Sequence, residues 1–243
     1  HHNFVANQII CHNTIQTLTM VQNLKNELGK LPAPILLICP TSVVTNWQLE
    51  NEKFTPNLVT LAHQGGDRLR EEAFIEAVQE VDIVLTSYAL VRRDGDTMKQ
   101  IDWLGVVLDE AQNIKNPRAK QTQAVRRLRA SNRIALTGTP VENSLEDLRS
   151  LFGYLMPGYL PKPEERLASE DRKWHDDRLL QMAAPYILRR AKIAVAPELP
   201  PKIEQILYCD FEENQKKFYD ETNAIMGAYN KYPNFVAYLV DGS

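Results

Sequence analysis

Gly105-Val106-Val107-Leu108-Asp109-Glu110-Ala111-Gln112 sets an unbroken apolar run directly against two adjacent carboxylates. A short continuous apolar run of this kind reads as a strand covered on both faces. Three more runs lie around it. Ile35-Leu36-Leu37-Ile38-Cys39 is ended by Pro40, Asp82-Ile83-Val84-Leu85-Thr86 follows, and Arg133-Ile134-Ala135-Leu136 comes last. Helical patterns over residues 68–79 and 122–129 separate them. Strand, helix and strand at this spacing predict crossover units, and hence an α/β fold with a parallel sheet and helices on both faces.

Each run stops at a polar or small cluster. Pro40-Thr41-Ser42 follows the first in chain order and Ser87-Tyr88 the second. Asp109-Glu110-Ala111-Gln112 follows the third and Thr137-Gly138-Thr139-Pro140 the fourth. Ligands of open α/β sheets bind outside the carboxyl ends of strands. The sequence therefore predicts one shared rim carrying Ser42, Ser87, Asp109 and Thr137.

Length and composition bound the rest. The 243 residues suffice for one large α/β domain with a smaller appendage. The net charge of −3 does not describe a whole-surface nucleic-acid binder. Basic residues do cluster at Arg126, Arg127, Arg129 and Arg133, and again at Arg189, Arg190 and Lys192; the first reading of such runs is a solvated helix face. Cys11, Cys39 and Cys209 are scattered and odd in number, which points to a reducing compartment and to small buried thiols. No apolar run approaches the roughly 18 residues of a membrane span, and His1-His2-Asn3 offers no basic leader. Beyond Gly158 the chain becomes charged and is punctuated by Pro161, Pro163 and Pro197. It is expected to be mainly helical there, with a helix over 179–192 that Pro185 starts or kinks, a short strand near Ile206 and a helix over 212–229. Exposed apolar surface is expected over 235–240.

Paired carboxylates at a strand end read by themselves as a loop with two solvated acids, or as the acids of magnesium-assisted phosphoryl transfer, one serving the metal and the other the attacking water. Asp109-Glu110-Ala111-Gln112-Asn113-Ile114-Lys115-Asn116 resembles motif II of the Swi/Snf family of helicase-like ATPases. Leu136-Thr137-Gly138-Thr139-Pro140 with Glu142-Asn143 resembles its motif III, Cys39-Pro40-Thr41-Ser42 through Trp47 its motif Ia, and Leu85-Thr86-Ser87-Tyr88 its motif Ib. Ile187-Leu188-Arg189-Arg190 with Leu199-Pro200-Pro201-Lys202 resembles the stretch between the family's two lobes. The resemblance spans nearly the whole chain. It implies the first RecA-like lobe over 1–155 and, over 156–243, a helical protrusion with the start of the linker to a second lobe. It implies ATP and Mg2+ as cofactors and double-stranded DNA and the second lobe as partners. Asp109 and Glu110 then become the catalytic acids. Asn13, Thr14, Gln112 and Gly138 would bind nucleotide, and Thr14 and Asp109 would serve the metal. Ser42, Ser87, Thr137 and Thr139 would touch the DNA backbone, and Trp47 is read as a packed helix residue. The implied setting is intracellular, a bacterial cytoplasm or nucleoid before a nucleus.

One segment departs from the family. Thr14-Ile15-Gln16-Thr17-Leu18 resembles the end of its phosphate loop, but Ile10-Cys11-His12-Asn13 stands where the family has Gly-x-Gly-Lys. Glycines permit the turns that wrap phosphates in backbone amides, and the lysine brings charge to the terminal phosphate. The expectation is a translocase lobe that is weak or inactive alone. The alternatives are a catalytically dead pseudo-ATPase that binds DNA or protein, and a fragment with no function of its own.

Overall fold

The computed structural model describes residues 4–6, 9–11, 13–138, 145–161 and 169–188, together with Lys216. The chain divides into two compact units, His1–Glu198 and Leu199–Ser243, and all of these residues but Lys216 lie in the first. The strand expected near Ile206, the helix over 212–229, the apolar surface over 235–240 and the basic residues Arg189, Arg190 and Lys192 lie outside the described residues.

Two short strands, β1 (Phe4–Ala6) and β2 (Ile9–Cys11), pair antiparallel with Phe4 opposite Cys11. Helix α1 (Asn13–Leu28) follows. The main sheet then forms from β3 (Ile35–Cys39), β4 (Thr60–His63), β5 (Ile83–Ser87), β6 (Asp102–Leu108) and β7 (Arg129–Ala135). Its order is β4-β5-β3-β6-β7, and every pairing is parallel. The connecting helices are α2 (Val44–Phe54), α3 (Glu71–Val78), α4 (Tyr88–Met98) and α5 (Lys120–Arg126), with α6 (Leu145–Leu155) and α7 (Ser169–Ala183) after the sheet.

The strand order decides which face each helix covers. From β3 the chain steps to the far edge at β4, and then moves steadily back across the sheet. Right-handed crossovers therefore put α2 on one face and α3, α4 and α5 on the other. The two cores follow. Leu36, Ile38, Val84, Val106 and Leu108 pack against Phe74, Val91, Val125 and Tyr154, whereas Ile35, Leu37, Cys39, Leu85 and Val107 pack against Leu18, Val21, Val44 and Trp47. Both faces of β3 are thus apolar, which is why its sequence is a continuous run. A third cluster joins Leu148 and Phe152 of α6 to Leu179 and Ala183 of α7.

The expected rim is present. Asp109 N–H donates to the Ile38 carbonyl at 2.8 Å and Leu136 N–H to the Leu108 carbonyl at 2.7 Å. Ala111 N–H then donates back to the Leu136 carbonyl at 2.9 Å. The ladder therefore runs past the strand ends and fixes Asp109 beside Thr137 on the edge where β3 and β5 also finish.

Several sequence expectations are corrected. The helix expected over 68–79 covers only Glu71–Val78, because Arg68 is drawn out of it. Arg68 Nε and Nη2 grip the two oxygens of Asp94 on α4 at 2.7 and 2.9 Å, and Nη1 donates to the Gly65 carbonyl at 2.9 Å. Gly65 takes φ +80°, which an L side chain resists. Arg129, expected at a helix end, opens β7 and pairs with Asp102 of β6. The basic cluster is not one solvated helix face. Arg126 donates to the Ser150 carbonyl and hydroxyl, while Arg133 donates to the Tyr154 and Leu128 carbonyls. Gly153 makes room for the first of these, since a Cβ there would stand 2.9 Å from the Arg126 guanidinium. The helix expected over 179–192 is not one element: α7 ends at Ala183, Pro185 falls in the first turn of a 3-10 segment over Ala184–Tyr186, and residues 189–192 lie outside the described residues.

The Arg68–Asp94 pair also holds His63, whose Nε2 lies 2.9 Å from Asp94 Oδ2 and whose side chain is 2% exposed. Burial pushes the His63 pKa below 6.5, outweighing its hydrogen bond to Asp94. Burial alone would raise the Asp94 carboxyl, but the bonds from Arg68 and His63 hold it below its ordinary value. Both shifts have the same consequence. Unfolded His63 takes up a proton near pH 6.5 that the folded chain resists, and unfolded Asp94 takes one up before the folded carboxylate does. Stability is therefore expected to fall as pH drops through about 6.5, and to fall further when the Asp94 carboxylate is protonated. Thermal unfolding across this range should show the first loss, and His63→Gln should flatten it. An unchanged midpoint in the parent chain over that range would contradict the assignment.

Candidate nucleotide and DNA-backbone site

Asp109 and Glu110 stand at the end of β6 in the middle of the rim, both half-buried. Glu110 takes φ 51° and ψ 54°, a left-handed conformation that is strained for a non-glycine residue. The turn it makes starts a 3-10 segment over Ala111–Ile114 and is secured by Asn113 Nδ2, which donates to the Glu110 carbonyl at 2.9 Å. Gln112 then bridges two strand ends. Its Nε2 donates to Glu110 Oε2 at 2.6 Å, and its Oε1 accepts from Thr137 Oγ1 at 3.0 Å.

Asp109 is held on all sides. Its Oδ1 accepts from Glu110 N–H at 3.0 Å and its Oδ2 from Trp47 Nε1 at 2.9 Å, while its carbonyl accepts from the Tyr88 hydroxyl at 2.7 Å. Trp47 is buried in the core as expected, but its indole also reaches the acid. Below the site Cys39 is fully buried, and its thiol is pushed up to about 12 by burial and then by the Asp109 charge. Burial, with Asp109 next in weight, likewise raises the Tyr88 hydroxyl, so it remains a donor at neutral pH.

The remaining candidates are placed as follows. Asn13 and Thr14 form the first turn of α1. The far end of that helix is tied to the opposite edge of the sheet, where Lys25 donates to Asp82 Oδ2 at 2.7 Å, so the helix runs with its N-terminus toward the rim. Ser42 is exposed in a 3-10 turn over Thr41–Val43 directly after β3. Ser87 is 2% exposed, and its Oγ accepts from Leu90 N–H as the N-cap of α4. Gly138 is exposed, and Thr139 lies outside the described residues. The segment before Thr14 is strand β2, with one residue between Cys11 and the start of α1. Among the described residues no cluster of three or more His, Cys, Asp or Glu is placed to hold a metal, and no helix is long and apolar enough to cross a membrane.

Sequence reasoning missed two members of the site. Tyr88 sits in a quoted motif and Trp47 ends another, but nothing in one dimension says that their polar ends converge on Asp109.

A five-stranded parallel sheet with paired acids at its carboxyl edge defines a RecA-like lobe of a helicase-like ATPase. The SNF2-related domain model matches residues 6–235, and the chain belongs to that family. It is 37% identical over 217 residues to the putative ATP-dependent helicase/translocase YwqA of Bacillus subtilis, covering 86% of this chain and 23% of that protein. It is 38% identical over 217 residues to the TATA-binding protein-associated factor mot1 of Aspergillus fumigatus, covering 81% of this chain and 11% of that one. Helicase SWR1 of Eremothecium gossypii is 32% identical over 245 residues, covering 89% of this chain and 16% of that protein. The SWI2/SNF2 ATPase core of Sulfolobus solfataricus, solved in complex with double-stranded DNA, superposes with a TM-score of 0.65 at 35% identity, over 91% of this chain and 47% of that one. The chain thus spans under a quarter of these three relatives and about half of the solved core.

Proposed function

We propose that this chain is the first motor lobe of a DNA-dependent ATPase that moves along double-stranded DNA. Residues 1–155 act as the ATPase lobe. Residues 156–243 act as a helical protrusion and the start of a linker to a second RecA-like lobe. The observation that carries the reading is the bridge from Glu110 through Gln112 to Thr137, which ties the candidate catalytic acid to a candidate DNA contact on one rim. The likeness to a core solved with double-stranded DNA supports the choice of partner. Its place of action is intracellular DNA, in a bacterial cytoplasm before a nucleus.

In this reading Asp109 and the Thr14 hydroxyl serve Mg2+, and Glu110 orients the attacking water. The donor set fits, since hard oxygen ligands suit this ion. Glu110 N–H and Trp47 Nε1 hold Asp109 Oδ1 and Oδ2 in a fixed orientation at the strand end. When bound, the ion would neutralise charge developing on the transferred phosphoryl group. Gln112 holds the Glu110 carboxylate in place, and Asn13 and Gly138 lie along the nucleotide edge. Ser42, Thr137 and Thr139 meet DNA phosphates, while Ser87 contributes by capping α4 at the same rim. Such contacts position the protein without reading sequence.

A second reading is favoured by one observation. Of the residues that would wrap the phosphates, Ile10 and Cys11 lie in strand β2 and Asn13 opens α1, and the segment lacks the glycines and the lysine. A pseudo-ATPase that holds DNA or protein without turnover accounts for this. Calorimetry with ATP separates the two, because the motor reading requires nucleotide binding and the second does not. Duplex DNA should bind weakly with no sequence preference, and its affinity should fall as salt rises. Tight binding to one sequence over others, in a salt series with scrambled duplexes, would contradict the assignment of Ser42, Thr137 and Thr139 as phosphate contacts.

A further inference from the structure

We propose that Trp47 and Tyr88 are positioning residues that hold Asp109 from two sides, aiming its carboxylate at the metal. The inference rests on the reading of Asp109 as the acid that serves Mg2+. Trp47 Nε1 donates to Asp109 Oδ2 at 2.9 Å, and the Tyr88 hydroxyl donates to the Asp109 carbonyl at 2.7 Å. Trp47 is 1% exposed and Tyr88 4%, so core packing fixes both rings. An indole N–H has one direction and no rotor, and the accepting oxygen therefore sits where the ring points. A bond to an ionised acceptor is about twice as strong as a neutral one. Bulk alone does not explain this choice of acceptor. Trp103, equally buried, satisfies its indole on the main-chain carbonyl of Met98 at 3.0 Å.

The two donors come from the segments that carry Ser42 and Ser87. Trp47 lies one turn into α2, which begins directly after the Thr41–Val43 turn. Tyr88 is the first residue of α4, next to the Ser87 cap. Any shift of either segment is thereby delivered to Asp109, one to its carboxylate and one to its backbone.

Indole N–H resonances of the full chain test this, because the three tryptophans differ. Trp47 faces a carboxylate, Trp103 a main-chain carbonyl, and Trp174 is 56% exposed. Single Trp→Phe variants assign the signals. Mg2+ is expected to move the Trp47 signal and leave that of Trp103 in place, and Asp109→Asn is expected to abolish the response. Mn2+ binding, followed by electron paramagnetic resonance, should weaken about tenfold in Trp47→Phe and in Tyr88→Phe, the scale of lost support around a metal ligand. If Asp109→Asn abolishes Mn2+ binding while both aromatic variants bind it normally, the positioning role is overturned and Asp109 keeps its metal. If Asp109→Asn binds Mn2+ normally, the metal reading falls and this proposal with it. Should Trp47→Phe fail to fold, Tyr88→Phe removes only a hydroxyl, and the indole signal needs no variant at Trp47.

Discussion

Trp103→Ala is expected to lower the unfolding free energy by about 3–5 kcal/mol, the range for truncating a fully buried large aromatic. Trp103 sits near the start of β6, 1% exposed, in the core that joins Leu36 and Val106 to α4 and α5. Truncation removes its packing and leaves a cavity that neighbouring strands cannot close without losing register. It also deprives the Met98 carbonyl of its indole donor at 3.0 Å. Domains of this kind are stable by only about 5–15 kcal/mol, so the loss is a large share of the whole. Trp174→Ala is the control. That ring is 56% exposed and lies over Arg178, and its loss should stay within about 0.5 kcal/mol. Urea unfolding followed by circular dichroism compares them. A Trp103→Ala chain within about 1 kcal/mol of the parent would mean that this core is not what holds the sheet together.

The inner strands were legible because they are buried on both faces, which leaves no polar alternation to confuse with a helix. Ile35-Leu36-Leu37-Ile38-Cys39 is the clearest case, with all five residues buried. The outer strands were not legible in the same way. Thr60-Leu61-Ala62-His63 at one edge is only partly covered until His63, so its sequence is short and mixed. At the other edge β7 opens with Arg129, Ser131 and Asn132 exposed, and the sequence offered a strand only from Arg133 onward. Physical coverage, not strand propensity, separated what could be read from what could not.

The site divides along a similar line. Asp109, Glu110 and Thr137 could be named because they match family motifs; by type alone, two acids after a strand read as readily as a solvated loop. Trp47 reaches Asp109 across 62 residues of chain, and its residue type suggests only core. The resemblance makes Ser87 a candidate DNA-backbone contact, whereas in the fold it is buried as a helix cap. Arg126 and Arg133 were read as surface charge because a run of arginines looks alike whether it faces water or main-chain carbonyls. The carbonyls of Ser150 and Tyr154, which draw them inward, belong to a helix some twenty residues further on. Type and local spacing identify groups that do chemistry at an exposed edge, but not groups whose task is set by a distant partner.

The unmodified chain is expected to release no phosphate from ATP above background, with or without duplex DNA, although Asp109 and Glu110 are in place. Phosphoryl transfer depends on positioning and on charge stabilisation, so the acids act only with their partners. Ile10-Cys11-His12-Asn13 supplies neither the glycine turns nor the lysine, and Ile9–Cys11 is committed to pairing with Phe4–Ala6. Asn13→Lys alone should change little, because a β-branched residue at position 10 still resists a left-handed turn. Ile10→Gly, His12→Gly and Asn13→Lys together should dissolve β2, free the approach to Thr14 at the N-terminus of α1, and tighten nucleotide binding. Turnover by residues 1–243 on their own should stay slow even then, since arginines reaching the transition state from a second lobe are worth roughly a thousandfold or more. Calorimetry reads the first effect and phosphate release the second. The expected pattern is ATP bound weakly by the unmodified chain and by the single variant and tightly by the triple variant, with hydrolysis slow in all three. Robust DNA-stimulated hydrolysis by the unmodified chain would mean that the segment ahead of Thr14 holds phosphate by a different arrangement, and that glycine and lysine are not what this lobe requires.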